Sequence, residues 1–295
     1  MTPGRLTWRA RAKVNLYLHV AAPDARGYHP LQSLVAFADI GDEVSLVETN
    51  GSFVNLSPRL SLSGPFAEGL DAGEGNLILK AVRAFEAASG LRVDRYDIHL
   101  VKNLPVASGL GGGSADAGAI LRLLRDAYAP DMADDALSAI AAKTGADGVM
   151  CLWARPALAE GYGERLTPVS LPSVPAVLIN PGVECSTRAV YQGFDDTGAF
   201  SVLDVVAEDI VNIEQLTTIL VATRNDLQAP AVALQPVINE VLADLAAQPE
   251  TLFARMSGSG ATCFALCATD ADARALSHRL QRMWPAAWVA PCRLG

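Results

Sequence analysis

The stretch NLPVASGLGGGSADAG, Asn103 to Gly118, limits the fold of this chain more than any other, because five of its sixteen residues are glycines. Inside regular structure each glycine costs about 0.5–1 kcal/mol relative to alanine, so the run has to serve a turn or a close approach. The segment before it, RYDIHLVKNLP, reads as a strand; after it Ala117, Ile120, Leu121, Leu124 and Tyr128 mark one face of a helix that ends before Pro130. A helix N-terminus exposes unpaired N–H groups and the positive end of the helix dipole, and glycines let an anion reach them. The order strand, glycine turn, helix therefore suits a phosphate, with a tight turn that binds nothing as the plain alternative. No Gly-Lys-Ser/Thr closes the run, and no opening βαβ unit carries a dinucleotide fingerprint. A dinucleotide-dependent reductase lacks its first element here.

The rest of the chain alternates strand and helix signals. LTWRARAKVNLYLHVA and DEVSLVE at 42–48 read as strands, separated by the loop APDARGYHPLQSL. Leu77, Ile78, Ala81, Val82 and Phe85 recur at helical spacing, with Asn76 as the expected N-cap and Gly90 as the stop. Helices are expected over 133–144, 203–222, 233–247 and 271–283, and a strand at PAVLINPG, 175–182. The segment LFARMSGSGATCFALCA reads as strand, turn, strand, with a second glycine run at its centre, and AWVAPCR as a last short strand. The proline-bearing run LTPVSLPSVPA at 166–176 is the best boundary, giving an N-terminal lobe over 1–168 and a C-terminal lobe over 169–295.

With 51% hydrophobic and 19% charged residues, the 295-residue chain has the composition of a globular protein. A formal net charge of −9 argues against a nucleic-acid or anionic-membrane partner, since phosphate backbones are held by clustered Lys and Arg. A small phosphorylated ligand stays compatible with a locally positive pocket. The N-terminus lacks the apolar core of a signal peptide and no run of about 18 apolar residues occurs, so the expected location is cytoplasmic. Five scattered cysteines suit buried free thiols better than a zinc site or a disulfide framework.

The succession AKVNLYLHV, GYHPLQSL, LPVASGLGGGSADAGAIL, TGADGVMC, AEGYGE, NDLQ and RMSGSGATCFAL resembles the small-molecule kinases of the galactokinase, homoserine kinase, mevalonate kinase and phosphomevalonate kinase superfamily. The likeness runs from about Arg9 to Phe264. AKVNL followed by GYH is similar to the branch whose acceptor carries a cytidyl group and is phosphorylated on its 2-hydroxyl in non-mevalonate isoprenoid synthesis. The resemblance implies an α+β, two-lobed kinase fold with the active site in the cleft between lobes, the second glycine run facing the phosphate region. It implies ATP as phosphoryl donor and Mg²⁺ held through the nucleotide phosphates.

Residue by residue, the resemblance puts the triphosphate on Pro105, Val106, Ala107, Ser108, Gly109, Leu110, Gly111, Gly112, Gly113, Ser114 and Ala115. Asn76 and Lys102 fall near the adenine and ribose end; their plain readings are a helix cap and a solvated strand lysine. Asp147 is implied as the carboxylate that orients the acceptor hydroxyl or takes its proton, and Lys13 as the cation that pairs with it and neutralises the transferring group. By pattern alone, Lys13 is a solubilising strand lysine and Asp147 a turn residue. For the cytidyl part the resemblance implies Tyr28 and Tyr191 as stacking faces, His29 as a hydrogen-bonding partner of the pyrimidine edge, and Asn15 as a polar contact. Core packing for Tyr191 and an exposed loop for His29 are the alternatives.

Two departures stand out. After GAD the family continues with Val-Pro or Ile-Pro, where this chain has Gly148 and Val149, so looser positioning of Asp147 is expected. NDLQ at 225–228 replaces the usual Asn-Asp-Leu-Glu. Neither removes a reacting group; the competing functions are a homoserine- or mevalonate-type kinase of the same superfamily, or a nucleotide-binding regulator without turnover.

Overall fold

The computed structural model describes residues 4–48, 59–203 and 209–295. In chain order the strands are β1 (Arg5–Asn15), β2 (His19–Val20), β3 (Leu31–Glu48), β4 (Leu60–Ser63), β5 (Tyr96–Val101), β6 (Ala157–Gly161), β7 (Arg165–Pro168), β8 (Val174–Asn180), β9 (Phe253–Met256), β10 (Cys263–Leu266) and β11 (Trp288–Leu294). The helices are α1 (Leu77–Ser89), α2 (Gly112–Tyr128), α3 (Asp134–Ala141), α4 (Gly148–Trp153), α5 (Thr187–Asp195), α6 (Ile213–Ala222), α7 (Gln228–Leu234), α8 (Val237–Ala246) and α9 (Asp270–Met283). The content is α+β, as expected.

The chain forms two compact units that interleave in sequence: residues 1–12, 40–104 and 111–154 make one, and 13–39, 105–110 and 155–295 the other. The boundaries fall inside β1, β3 and the glycine run. Residues 155–168, placed by the sequence reading with the N-terminal lobe, pack in the second unit. They do so because β6 pairs antiparallel with the first half of β3, from Leu31↔Gly161 to Val35↔Ala157.

In the first unit β5 lies between β3, antiparallel from Glu43↔Val101 to Glu48↔Tyr96, and β4, parallel from Leu60↔Ile98 to Ser63↔Val101. Val44, Leu46, Ile98 and Leu100 are fully or almost fully buried, as are Ile78, Val82 and Phe85 of α1 and Ile120, Leu121 and Leu124 of α2. α1 follows its sequence signals: the Asn76 side chain accepts from the Ile78 N–H, and Gly90 ends the helix at φ 70°.

In the second unit β8 sits between β11 and β10, with β9 beyond β10, all antiparallel. A core of Val177, Ile179, Phe194, Ile238, Val241, Met256, Leu276 and Leu280 joins this sheet to its helices. The helix expected over 203–222 is helical from Ile213, where the Asn212 side chain accepts from Gln215 N–H; residues 209–212 are not helical and 204–208 lie outside the described residues. That expected over 233–247 is two helices, α7 and α8, because Pro236 has no N–H to continue the first and sits at the start of the second. The five cysteines are free and buried, as expected. Among the described residues no helix is long and apolar enough to cross a membrane.

Candidate functional site

In the second unit the two glycine runs meet. The Thr262 N–H donates to Ser108 O (3.1 Å), the Ser257 hydroxyl to Gly109 O (3.2 Å), and the Lys13 N–H to Leu110 O (2.9 Å). A peptide plane points its C=O and the following N–H in opposite directions. With three successive carbonyls tied back, the N–H groups of Gly109, Leu110 and Gly111 face the other way. Ala107, Gly109 and Gly111 have φ of 50°, 78° and 63°, the alternation with which successive N–H groups form an anion-binding concavity. At Gly109 a Cβ would stand 2.5 Å from Ser257 O, so only glycine allows the two runs to touch.

The second run is itself held from below. Asn225 Nδ2 donates to Met256 O (2.9 Å) and Gly258 O (2.8 Å), and Gln228 Oε1 accepts from Met256 N–H (3.2 Å). This explains NDLQ: the Asn is a bracket for the glycine turn, and an amide oxygen at the fourth position accepts the bond a carboxylate would. In the sequence Asn225 stands out only within NDLQ, because the carbonyls it holds lie 31 and 33 residues further along the chain.

Lys13 and Asn15 lie buried on β1 beside this turn. Asn15 takes the Ser257 hydroxyl as acceptor for its own N–H (3.1 Å), and its Nδ2 donates to Ser33 Oγ (2.7 Å). Its Oδ1 is buried without a hydrogen-bond partner. A buried carbonyl left so costs on the order of 1–3 kcal/mol unless a ligand donor completes it.

The residues implied for the cytidyl part also fall in the second unit. His29 Nδ1 faces Ala21 O at 2.9 Å and Nε2 faces Asp195 Oδ1 at 2.9 Å, so both ring nitrogens are engaged and a base would reach the ring edge only by displacing Asp195. The His29 ring packs 5.3 Å from that of Tyr191. Tyr28, by contrast, is 63% exposed.

In the first unit α2 starts at Gly112, and Gly113, Ser114 and Ala115 form its first turn. Lys102 is not a solvated strand lysine: it is buried, with Nζ 2.5 Å from Asp42 Oδ2 and 2.7 Å from Asp116 Oδ2. Asp42 Oδ1 accepts from the N–H groups of Asn103 (2.6 Å) and Leu104 (2.8 Å), which ties the end of β5 to the same cluster. Burial lowers the Lys102 ammonium and the charges of Asp116 and Asp42 outweigh it, holding the group above the usual lysine range. Burial pushes the Asp116 carboxyl up to about 7, partly opposed by Lys102. Asn76 caps α1, and its Nδ2 donates to Asp71 O (2.7 Å).

Asp147 stands at the N-cap of α4. Gly148, expected to loosen it, is buried, and a Cβ there would lie 2.1 Å from Ala141 O and 2.8 Å from Thr144 Oγ1. The glycine is what lets α4 close onto the end of α3. At the other end of α4, Arg122 donates to Leu152 O (2.5 Å) and Trp153 O (3.3 Å), its guanidinium 4.8 Å from the rings of Trp8 and Trp153.

An α+β fold in which a glycine run with alternating positive φ leads into a helix, with no P-loop lysine, is that of the small-molecule kinases of the GHMP type. The models for the GHMP kinases N terminal domain and the GHMP kinases C terminal match residues 76–155 and 203–286. A 4-diphosphocytidyl-2-C-methyl-D-erythritol kinase of Caulobacter vibrioides (strain NA1000 / CB15N) is 50% identical over 98% of this chain and 99% of its own length. The crystal structure of a 4-(cytidine 5'-diphospho)-2C-methyl-D-erythritol kinase, 33% identical, superposes with a TM-score of 0.77 over 98% of this chain and 99% of that one. Homoserine kinase from Cytophaga hutchinsonii, 17% identical with a TM-score of 0.72 over 98% and 94% of the two chains, shares the fold. The chain belongs to the 4-diphosphocytidyl-2-C-methyl-D-erythritol kinase family of GHMP kinases.

Proposed function

We propose that the protein transfers the γ-phosphoryl group of ATP to the 2-hydroxyl of 4-diphosphocytidyl-2-C-methyl-D-erythritol, with the triphosphate on the amide side of residues 105–115. The observation that carries this reading is the direction of the peptide groups in the first glycine run. The carbonyls of Ser108, Gly109 and Leu110 are bonded into their own unit, which aims the next three N–H groups outward as a preformed anion cradle. The α2 N-terminus continues it, with the Ser114 hydroxyl as a further donor.

Phosphoryl transfer to an alcohol is mainly positioning and charge neutralisation, with the proton leaving late. Asp147 orients the acceptor hydroxyl and receives its proton. Lys13 neutralises charge spreading over the transferring oxygens. Asn15 Oδ1, the buried acceptor without a donor, takes a substrate hydroxyl, and Tyr28 and Tyr191 offer ring faces to the cytosine. Lys102 and Asn76 act on the nucleotide through the elements they hold, β5 with α2 and the start of α1. Mg²⁺ supplies further neutralisation of the phosphates when bound. It would be held through the nucleotide phosphates; among the described residues no group of three or more His, Cys, Asp or Glu side chains forms a cage.

The test is direct: purified protein, Mg²⁺, ATP and the cytidyl substrate should yield ADP and a 2-phosphorylated product. Asp147→Asn should lower kcat by about 10²–10⁴-fold with ATP affinity kept. Turnover of homoserine or mevalonate but not the cytidyl substrate would overturn the assignment, and so would ATP binding without turnover of any acceptor.

A further inference from the structure

The exposed ring of Tyr28 is the least buried of the residues assigned to the acceptor, yet its loop is tightly tied. Asp24 is the hub. Its Oδ1 accepts from the N–H groups of Arg26 (2.8 Å) and Tyr28 (3.0 Å), and its Oδ2 from Arg26 Nε (2.9 Å) and the Tyr162 hydroxyl (2.8 Å). Arg26 Nη2 donates back to the Tyr162 oxygen at 2.8 Å. The guanidinium carbon stands 5.7 Å from the Tyr28 ring centre and 5.2 Å from that of Tyr162, and the two rings meet edge to face at 6.0 Å. Three flat groups thus form a triangle around one carboxylate. Tyr162 comes from the turn between β6 and β7, far away in sequence, and its own N–H is fixed by Glu164 Oε2 at 2.6 Å.

A loop that needed only to connect β2 to β3 has no use for such a tie on an exposed aromatic ring. Its physical effect is to set the ring before any ligand arrives. Ordering a side chain on binding costs about 0.5–1.5 kcal/mol, and a ring already fixed avoids that loss. The Tyr28 N–H bond, then those from the Tyr162 hydroxyl and Arg26, hold the Asp24 carboxyl well below the usual range, so the hub stays ionised at any pH at which the protein works.

We propose that Arg26 and Tyr162 are positioning residues of the acceptor site, which hold the Tyr28 ring as a preset stacking face for the pyrimidine of the substrate. This rests on the assignment of Tyr28 to the cytidyl group. None of the bonds that tie this loop reaches either glycine run, so their loss acts on the acceptor and not on ATP.

Tyr162→Phe removes the hydroxyl that bonds both Asp24 Oδ2 and Arg26 Nη2 and keeps the ring; Arg26→Ala removes the third corner. Each should raise KM for the cytidyl substrate, and the dissociation constant of cytidine 5′-diphosphate used as a binding probe, by roughly two- to twelvefold. The kcat at saturation, KM for ATP and Tm should stay near those of the parent. Tyr28→Ala in parallel should weaken both readouts at least as much. If Tyr28→Ala weakens them while Tyr162→Phe and Arg26→Ala leave them unchanged, or lower kcat and Tm together with affinity, the positioning role is overturned and the base assignment stands. If Tyr28→Ala changes neither, the base assignment itself fails.

Discussion

Lys102 Nζ lies 2.7 Å from Asp116 Oδ2, a buried ion pair that joins the end of a strand to the second turn of the helix starting at the glycine run. Asp42 completes the cluster from the other side, giving one ammonium and two carboxyls in a water-poor place. The remaining oxygen of Asp116 is buried and has no partner, so ionising this carboxyl is costly and its proton is retained up to about 7. The group therefore binds its proton more tightly folded than unfolded, and its effect on stability has a definite sign. Between about pH 4 and 7 the unfolded chain has lost this proton and the folded one has kept it, so stability falls as pH rises, by about 1 kcal/mol per unit for this group alone, and levels off above. Asp116→Asn removes that slope. The stability of the parent minus that of the variant, from urea unfolding, should shrink from pH 4 to pH 7 and then stay constant. A difference that does not change with pH would rule out a raised carboxyl at this position.

Gly112 sits directly over the same cluster. A Cβ there would stand 3.0 Å from Lys102 Nζ and 3.5 Å from Asp42 Oδ2, so it points down into the ion pairs and not out toward a ligand. Gly112→Val should push the ammonium from its carboxylates and shift the first turn of α2, weakening ATP binding by at least about tenfold, the effect of some 1.4 kcal/mol. Calorimetric titration with ATP checks this, with a melting curve to confirm that the variant is folded. Normal ATP affinity in a folded Gly112→Val would show that the triphosphate does not use this turn.

Gly148 tests a different closeness. The sequence leads to the expectation that Gly148 and Val149, in place of the usual Val-Pro or Ile-Pro, loosen Asp147; Gly148 itself is closely packed, since the Ala141 carbonyl occupies the place of a side chain. Gly148→Ala should cost about 1–3 kcal/mol of stability, as overpacking at a tight contact does, and lower kcat more than it raises KM for ATP, because α4 carries Asp147. Denaturant unfolding and initial rates measured on the same preparation would show both. A variant as stable as the parent would mean that α3 and α4 separate without cost.

What could be read from the sequence divides along the range of the interactions. Asn76 and Gly90 bracket α1 because caps act over a few residues, and the strand, glycine run and helix around Gly112 were visible for the same reason. Asn212 and Pro236 were equally local signals, and a hydrophobic period running through them concealed the breaks they cause. Lys102 looked like a solvated lysine because its carboxylates stand 60 and 14 residues away in the chain. Asp24 and Tyr162, 138 residues apart, meet only once β6 has paired with β3. Motif order located the residues assigned to the chemistry; their supports, bound to them through distant backbone, carried no pattern of their own.

Arg255 is such a support, and it has the largest predicted effect on stability. Its guanidinium is buried and donates to four oxygens, those of Leu16 (3.1 Å), Leu220 (2.7 Å) and Thr223 (2.6 Å) in the main chain and Thr223 Oγ1 (3.3 Å). Burial brings it down to about 10, still ionised at neutral pH, and the ring of Phe253 lies 4.6 Å away. One side chain thus joins the chain just after Lys13 and Asn15 to the end of α6 and the segment before Asn225. Arg255→Met keeps the apolar length and removes the donors, taking the guanidinium from the carbonyls of Leu16 and Thr223 at about 1–3 kcal/mol each, while Leu220 O keeps the Thr223 N–H and hydroxyl. A loss of about 3–5 kcal/mol in urea unfolding is expected, with reduced kcat at temperatures where the variant remains folded, because Asn225 brackets the second glycine run. Arg255→Lys should recover only a small part, since an ammonium cannot reach four acceptors spread along a planar fork. Full recovery by lysine would show that charge and not geometry holds this junction together.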